Sequence, residues 1–282
     1  VASATGAGRV AAVIPAKDEQ ERIGATVRAV RALPGVDLVV VVDDGSRDDT
    51  AAVARSEGAR VFRHARNRGK GAAMQTGAEG VLGFEAHERR SGADIAPRHL
   101  LFLDADLGAT AGAAAALIEP VRAGRADMTI ARFPRTRARL GGHGFVVRLA
   151  RNGIRRATGW ETEQPLNGQR CLTRQAFEAA CPLAPGFGVE TALTIDLLSR
   201  GFTVVEVDVA MEHRATGTDL RSQVHRARQF VDVARVLAVR ELRGVRPAGG
   251  GRPRGGSERS PRFSERRRKN ADGLPGEAPV GD

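Results

Sequence analysis

Tyrosine is missing from this 282-residue chain, and aromatic content is only 4%. Proteins that hold single-stranded nucleic acid stack bases on aromatic rings, so that class is disfavoured at the outset. Cysteine is almost as scarce. Cys171 and Cys181 lack the paired spacing of a zinc site and are too few for a disulfide framework. They read as two buried or half-buried thiols of a cytosolic protein. No apolar run approaches the ~18–20 residues of a membrane-spanning helix. The chain does not open with a basic stretch and an apolar core, so no secretory leader is expected. Two glycine signatures are also missing. No G-x-G-x-x-G follows the first apolar run. Asn67-Arg68-Gly69-Lys70-Gly71 is not a Walker A loop, because Gly71 follows Lys70 and the upstream glycine is absent. These absences argue against a dehydrogenase and an ATPase.

Hydrophobic residues make up 41% and charged residues 27%, enough for a buried core. The net charge of +11 points to an anionic partner: a nucleotide, a phosphorylated acceptor, a membrane surface or nucleic acid. Residues 246–282 hold nine basic and five acidic side chains among Gly, Pro and Ser, with almost no apolar content. That segment reads as a basic disordered tail.

Short apolar runs at 10–14, 38–42, 61–62 and 100–103 alternate with helical patterns at 23–30, 48–57 and 69–82. The alternation predicts an α/β fold with a mostly parallel sheet flanked by helices. Further along, 132–159 reads as a mobile basic loop plus a helix. Helices follow at 175–180 and 189–198, a strand at 203–209 and a long Arg-rich helix at 220–242. Ligands in such sheets sit beyond the carboxyl ends of the strands. Three polar clusters fall there: Lys17 to Glu19, Asp43 to Ser46, and Asp104 to Asp106.

Asp104-Ala105-Asp106 places two carboxylates where both can approach one divalent cation of the Mg2+ or Mn2+ type. The alternative is a cap for the helix expected at 110–123. A carboxylate of Asp43-Asp44-Gly45-Ser46 is suited to accept hydrogen bonds from a base or ribose, the alternative being an ordinary strand-to-helix turn. The glycines around Lys70 allow close backbone approach to phosphate.

The combination resembles the family 2 glycosyltransferases with the GT-A fold. The resemblance rests on Ile14-Pro15-Ala16-Lys17-Asp18-Glu19, on Val41 to Thr50, on the 67–71 loop and on Asp104-Ala105-Asp106-Leu107. It implies a GT-A domain over residues 1–245. It also implies a nucleotide-sugar donor site including Pro15, Ala16, Glu19, Asp44, Ser46, Gly69, Lys70, Asp104 and Ala105. Mg2+ or Mn2+ would sit on the donor diphosphate, held by Asp104 and Asp106.

The second half is similar to a narrower group, the glucosyl-3-phosphoglycerate synthases. The matching stretches are Gln164-Pro165-Leu166-Asn167-Gly168, Ala184-Pro185-Gly186-Phe187-Gly188-Val189-Glu190 and Glu212-His213-Arg214. This likeness implies His213 as third metal ligand and places Glu190 near the donor sugar. Asp106, Glu190 and Lys70 become the candidate catalytic residues, with UDP-glucose as the expected donor type. The group's acceptor loop, Gly-Gly-Gly-Arg-Val-Thr, is not matched. Gly141-Gly142-His143-Gly144-Phe145-Val146 stands nearest to it, and Ala215 replaces an Asn after Arg214. The acceptor is therefore either a phosphorylated small molecule such as 3-phosphoglycerate or a polyprenyl phosphate. The latter suits a cytoplasmic enzyme with peripheral contact at the inner membrane face through its basic helix and tail. Nucleic-acid binding through the tail explains the charge but not the strand-end carboxylates, which repel phosphate.

Overall fold

The computed structural model describes residues 8–133, 143–211 and 220–242. The 246–282 segment, His213 and most of the 132–142 stretch lie outside the described residues. The strands are β1 (Val10–Ala16), β2 (Val36–Asp43), β3 (Arg60–Arg63), β4 (His99–Phe102), β5 (Met128–Arg132), β6 (Arg170–Leu172) and β7 (Val204–Asp208). The helices are α1 (Ile23–Arg31), α2 (Thr50–Ser56), α3 (Lys70–Arg90), α4 (Ala115–Arg122), α5 (His143–Thr158), α6 (Arg174–Ala180), α7 (Val189–Ser199) and α8 (Leu220–Leu242). Short 3-10 turns at Gly108–Ala114 and Gly186–Gly188 precede α4 and α7.

The sheet order is β3-β2-β1-β4-β6-β5-β7. Its pairs are parallel except those of β6, which runs antiparallel to β4 and β5. The alternation of β1 shows how both faces are covered. Val10, Ala12, Ile14 and Ala16 point into a core shared with α1, α2 and α4. Ala11 and Val13 point into the opposite core, with α3, α6 and α7. Each valine or isoleucine among them stabilises by roughly 1.5–3 kcal/mol when fully buried. A third small cluster joins Val146 and Ala150 of α5 to Val233 of α8.

Some boundaries differ from the sequence expectation. β1 continues through Pro15 to Ala16, whose carbonyl accepts the Asp44 amide just beyond β2. The helix expected at 69–82 runs on to Arg90. Asp49 occupies the N-cap position of α2 without a side-chain bond. Instead Asp48 Oδ1 accepts from the Thr50 amide at 3.1 Å.

The strand ends are brought level by backbone bonds. The Asp44 amide donates to Ala16 O at 2.8 Å, and the His64 amide to Asp43 O at 2.9 Å. Lys17, Asp44, His64 and Asp104 thus lie along one edge. The opposite edge carries an ion-pair network centred on buried Arg98 and Glu85: Arg98 donates to Asp37 and Glu88 at 2.8 Å each, and Arg174 to Glu85 at 2.9 Å.

Candidate active site

The loop after β2 is built around Asp44. Asp44 Oδ1 accepts the Arg68 amide at 2.8 Å and Oδ2 accepts the Gly69 amide at 2.8 Å. His64 Nδ1 lies 2.7 Å from Oδ1, and its Nε2 lies 3.0 Å from Thr76 Oγ1. The carboxylate therefore ties the Lys70 loop to the end of β2. Asp43 accepts the Ser46 amide at 2.8 Å, and Ser46 Oγ accepts the Asp18 amide at 2.9 Å. Asp18 adopts a left-handed φ of 55°, a conformation that Asp tolerates better than most residues. Its Oδ1 accepts the Arg47 amide at 2.8 Å, and that bond leads in holding its carboxyl below the ordinary range. The loops after β1 and β2 are thus stitched together. Gly45, at φ 74°, touches the Arg66–Asn67 backbone so closely that a Cβ would stand 2.8 Å from it.

These loops border a cleft of about 680 Å³ lined by Lys17, Ser46, Arg47, Arg63, His64 and Asn67, among others. Pro15 and Ala16 end β1 beside it. Glu19 lies in the turn before α1, where its amide donates to Thr50 Oγ1 at 2.8 Å.

Lys70 opens α3 and meets two carboxylates. Its Nζ lies 2.7 Å from Asp104 Oδ1 and 2.9 Å from Glu190 Oε1. A cation at a helix N-terminus opposes the helix dipole, so these carboxylates are what make the placement tenable. Burial alone would depress the ammonium, but Asp104 and Glu190 outweigh it and hold its pKa above the ordinary lysine range. Lys70 stays charged across the physiological range.

Asp104 leaves the end of β4. Its Oδ2 accepts from Gln169 Nε2 at 2.9 Å. Asp104 does not cap the following helical segment: the 3-10 turn begins after Leu107, with no side-chain cap. The Ala105 carbonyl accepts Thr26 Oγ1 at 2.8 Å, and the Asp106 carbonyl accepts Arg22 at 3.1 Å. Both bonds fix the Asp-x-Asp backbone against α1. Gly168 makes room for the cluster, since a Cβ there would stand 2.2 Å from Lys70 Nζ and 3.1 Å from Asp104 Oδ1.

Glu190 is 5% exposed in the first turn of α7. Beneath it, Arg170 of β6 donates to the Glu190 carbonyl at 3.0 Å and to Thr194 Oγ1 at 2.8 Å. Burial pushes the Arg170 guanidinium down to about 10, which leaves it cationic at neutral pH. The Gln164–Gly168 stretch is pinned from β7: Glu206 accepts the Gln164 amide at 3.0 Å. Gln164 also clasps Phe133, donating to its carbonyl at 2.8 Å and accepting its amide at 3.1 Å.

The structure thus brings together Asp44, Gly69, Lys70, Asp104 and Glu190, with Asp106 two residues along the same loop. Gln169, His64 and Gly168 were not singled out from the sequence as site residues. Gln169 and Gly168 border or belong to the Gln-Pro-Leu-Asn-Gly motif, which was their available signal. Arg132, at the end of β5, donates to Asp208 at 2.7 Å and to Glu163 at 3.0 Å.

Asp104 and Asp106 present hard oxygen donors of the kind that suit Mg2+ or Mn2+. Asp104 already binds the cationic Lys70 and keeps part of its side chain open to solvent. The donor chemistry therefore fits such an ion. Among the described residues no group of three His, Cys, Asp or Glu side chains forms a complete metal shell.

Residues 11–142 match the family model described as glycosyl transferase family 2. A glucosyl-3-phosphoglycerate synthase of Mycolicibacterium paratuberculosis is 30% identical over 217 residues, covering 69% of this chain and 61% of that protein. The glycosyltransferase AglJ of Haloferax volcanii is 28% identical over 217 residues, covering 74% of this chain and 65% of that protein. The chain thus spans less than two thirds of the length of either relative. The crystal structure of Mycobacterium tuberculosis glucosyl-3-phosphoglycerate synthase in complex with phosphoglyceric acid superposes with a TM-score of 0.63 at 25% identity, covering 87% of this chain and 83% of that one. The motif order, the sheet with its strand-end carboxylates and these similarities agree, and the segment matched over residues 11–142 belongs to the family 2 glycosyltransferases, with the GT-A fold.

Proposed function

We propose that this protein transfers a hexosyl group from a UDP-sugar, with UDP-glucose as the leading candidate, to a phosphorylated acceptor. The observation that carries the reading is the meeting of Lys70, Asp104 and Glu190 at the carboxyl edge of the sheet, with each carboxylate within 2.9 Å of Lys70 Nζ. The resemblance of the second half to glucosyl-3-phosphoglycerate synthases supports the donor choice.

The stitched loops after β1 and β2 form one wall of a donor site, with the Gly69–Lys70 turn beside it. Asp104 and Asp106 would hold Mg2+ or Mn2+, with His213 as candidate third ligand. Such an ion, when bound, supplies Lewis-acid stabilisation of charge on the leaving diphosphate. Lys70 is a preorganised cation beside the same position, and its charge needs no reorganisation during the reaction. Glu190 orients Lys70 and faces the region assigned to the donor sugar. The acceptor is a phosphorylated small molecule or a polyprenyl phosphate. No helix among the described residues is long and apolar enough to cross a membrane.

The test is a screen of UDP- and GDP-sugars for nucleotide release with Mn2+, with 3-phosphoglycerate and a polyprenyl phosphate as acceptors. Saturable, acceptor-stimulated release from a UDP-hexose is expected. Failure of every UDP-sugar would refute the donor assignment.

A further inference from the structure

The turn that delivers Glu190 to Lys70 is held from behind by α8. Gly188 occupies the N-cap position of α7 and brings no side-chain bond to it. The 3-10 turn just before it is held instead from α8: Asp232 Oδ2 accepts the Phe187 amide at 2.9 Å. The fit is close. At Gly186, φ 68°, a Cβ would lie 2.2 Å from Asp232 Oδ2. At Gly188 it would lie 2.8 Å from the Asp232 carbonyl oxygen and 2.5 Å from Val236. The other side of the turn is equally tight, for a Cβ on Gly71 of α3 would lie 2.4 Å from the Ala184 carbonyl oxygen. The 184–188 segment is thus wedged between α8 and the first turn of α3, the turn that carries Lys70. α8 has a second, separate anchor further along α7, where Arg240 Nε donates to Asp196 Oδ1 at 2.9 Å.

Resting on the donor-site reading above, we infer that Asp232 is a positioning residue of that site. Its carboxylate meets the N-terminal end of α7, where a negative charge is favoured, and its oxygen fixes the Phe187 amide. Glu190 follows three residues later and inherits that position. Asp232 touches neither Lys70 nor Asp104, so it acts only through the turn.

The experiment measures kcat and donor KM for Mn2+-dependent nucleotide release in Asp232→Ala, Asp232→Glu, Asp232→Asn and Arg240→Ala, with melting midpoints for each. Displacing an oriented group by about an ångström can cost roughly 100-fold in rate. Asp232→Ala and the longer Asp232→Glu are expected to lower kcat by roughly ten- to 100-fold, with donor KM within about threefold of wild type. Asp232→Asn retains an acceptor oxygen and is expected to restore most of kcat. Arg240→Ala breaks the second anchor, and should lower the melting midpoint while leaving kcat near wild type. If Asp232→Ala does not fold, Asp232→Glu carries the test. Wild-type kcat in a folded Ala or Glu variant would overturn the inference. So would equal losses of kcat in Asp232→Ala and Arg240→Ala, which would mark general loosening of α8. Absence of turnover in the wild type would instead refute the donor reading itself.

Discussion

Gly168 and Lys70 are fitted to each other: a methyl group on Gly168 would stand 2.2 Å from the Lys70 ammonium nitrogen. That contact makes Gly168→Ala a selective probe. Gly168 does not occupy the left-handed region, so alanine adds no backbone strain there. The flexible Lys70 chain must swing away and loosen its grip on Asp104. The expected outcome is a melting midpoint near wild type with turnover lowered roughly tenfold or more. Unchanged turnover would show that the Lys70–Asp104 contact is dispensable.

Asp106→Asn keeps shape and removes one anionic oxygen donor. Affinity for a hard cation should fall, and activity should be nearly abolished with folding intact. A Mn2+ titration of turnover checks this, since wild-type turnover at limiting Mn2+ would refute the ligand assignment.

Asp44→Ala deletes the acceptor for the Arg68 and Gly69 amides. Hydrogen bonds to a charged group contribute about 1.5–3 kcal/mol each, and the Lys70 loop depends on both. Donor KM should rise along with a fall of several degrees in melting midpoint, read by calorimetry. A change in midpoint alone would assign Asp44 a purely structural role.

His99, at the start of β4, is held below its ordinary pKa near 6.5, first by burial and then by the Arg122 and Arg174 charges. The unfolded chain therefore binds a proton near 6.5 that the folded chain refuses. Stability is full above that value and declines as pH falls below it. Lys70 behaves oppositely. Its pKa is raised, so the stability it contributes is present below its ordinary 10.5 and is lost only above that, in strongly alkaline solution. Melting midpoints at pH 7.5 and 5.5 should differ less in His99→Gln than in wild type. Equal differences would exclude His99 as the source.

The first half of the fold was legible because its strands are apolar runs ending in polar clusters, so both periodicity and punctuation were present. Strands β5 and β6 were not foreseen. β6 has three residues, and one is the wholly buried Arg170. A charge inside a strand reads as surface until its partners are known. Those partners are the Asn167, Pro165 and Glu190 carbonyls and the Thr194 hydroxyl, none of them visible in local pattern. Of the site, the Asp-x-Asp loop could be placed from its strand end and Lys70 from its flanking glycines, whereas Glu190 entered only through family resemblance. Asp232 reaches the site through a contact spanning 45 residues, beyond any local signal.

The most direct test of the account is UDP release from UDP-glucose at saturating Mn2+, measured side by side in wild type, Lys70→Ala and Asp104→Asn. The account predicts saturable release in wild type that disappears on chelation and falls at least roughly 100-fold in both variants. Release that is absent in wild type for every UDP-sugar, or undiminished in both variants, would contradict it.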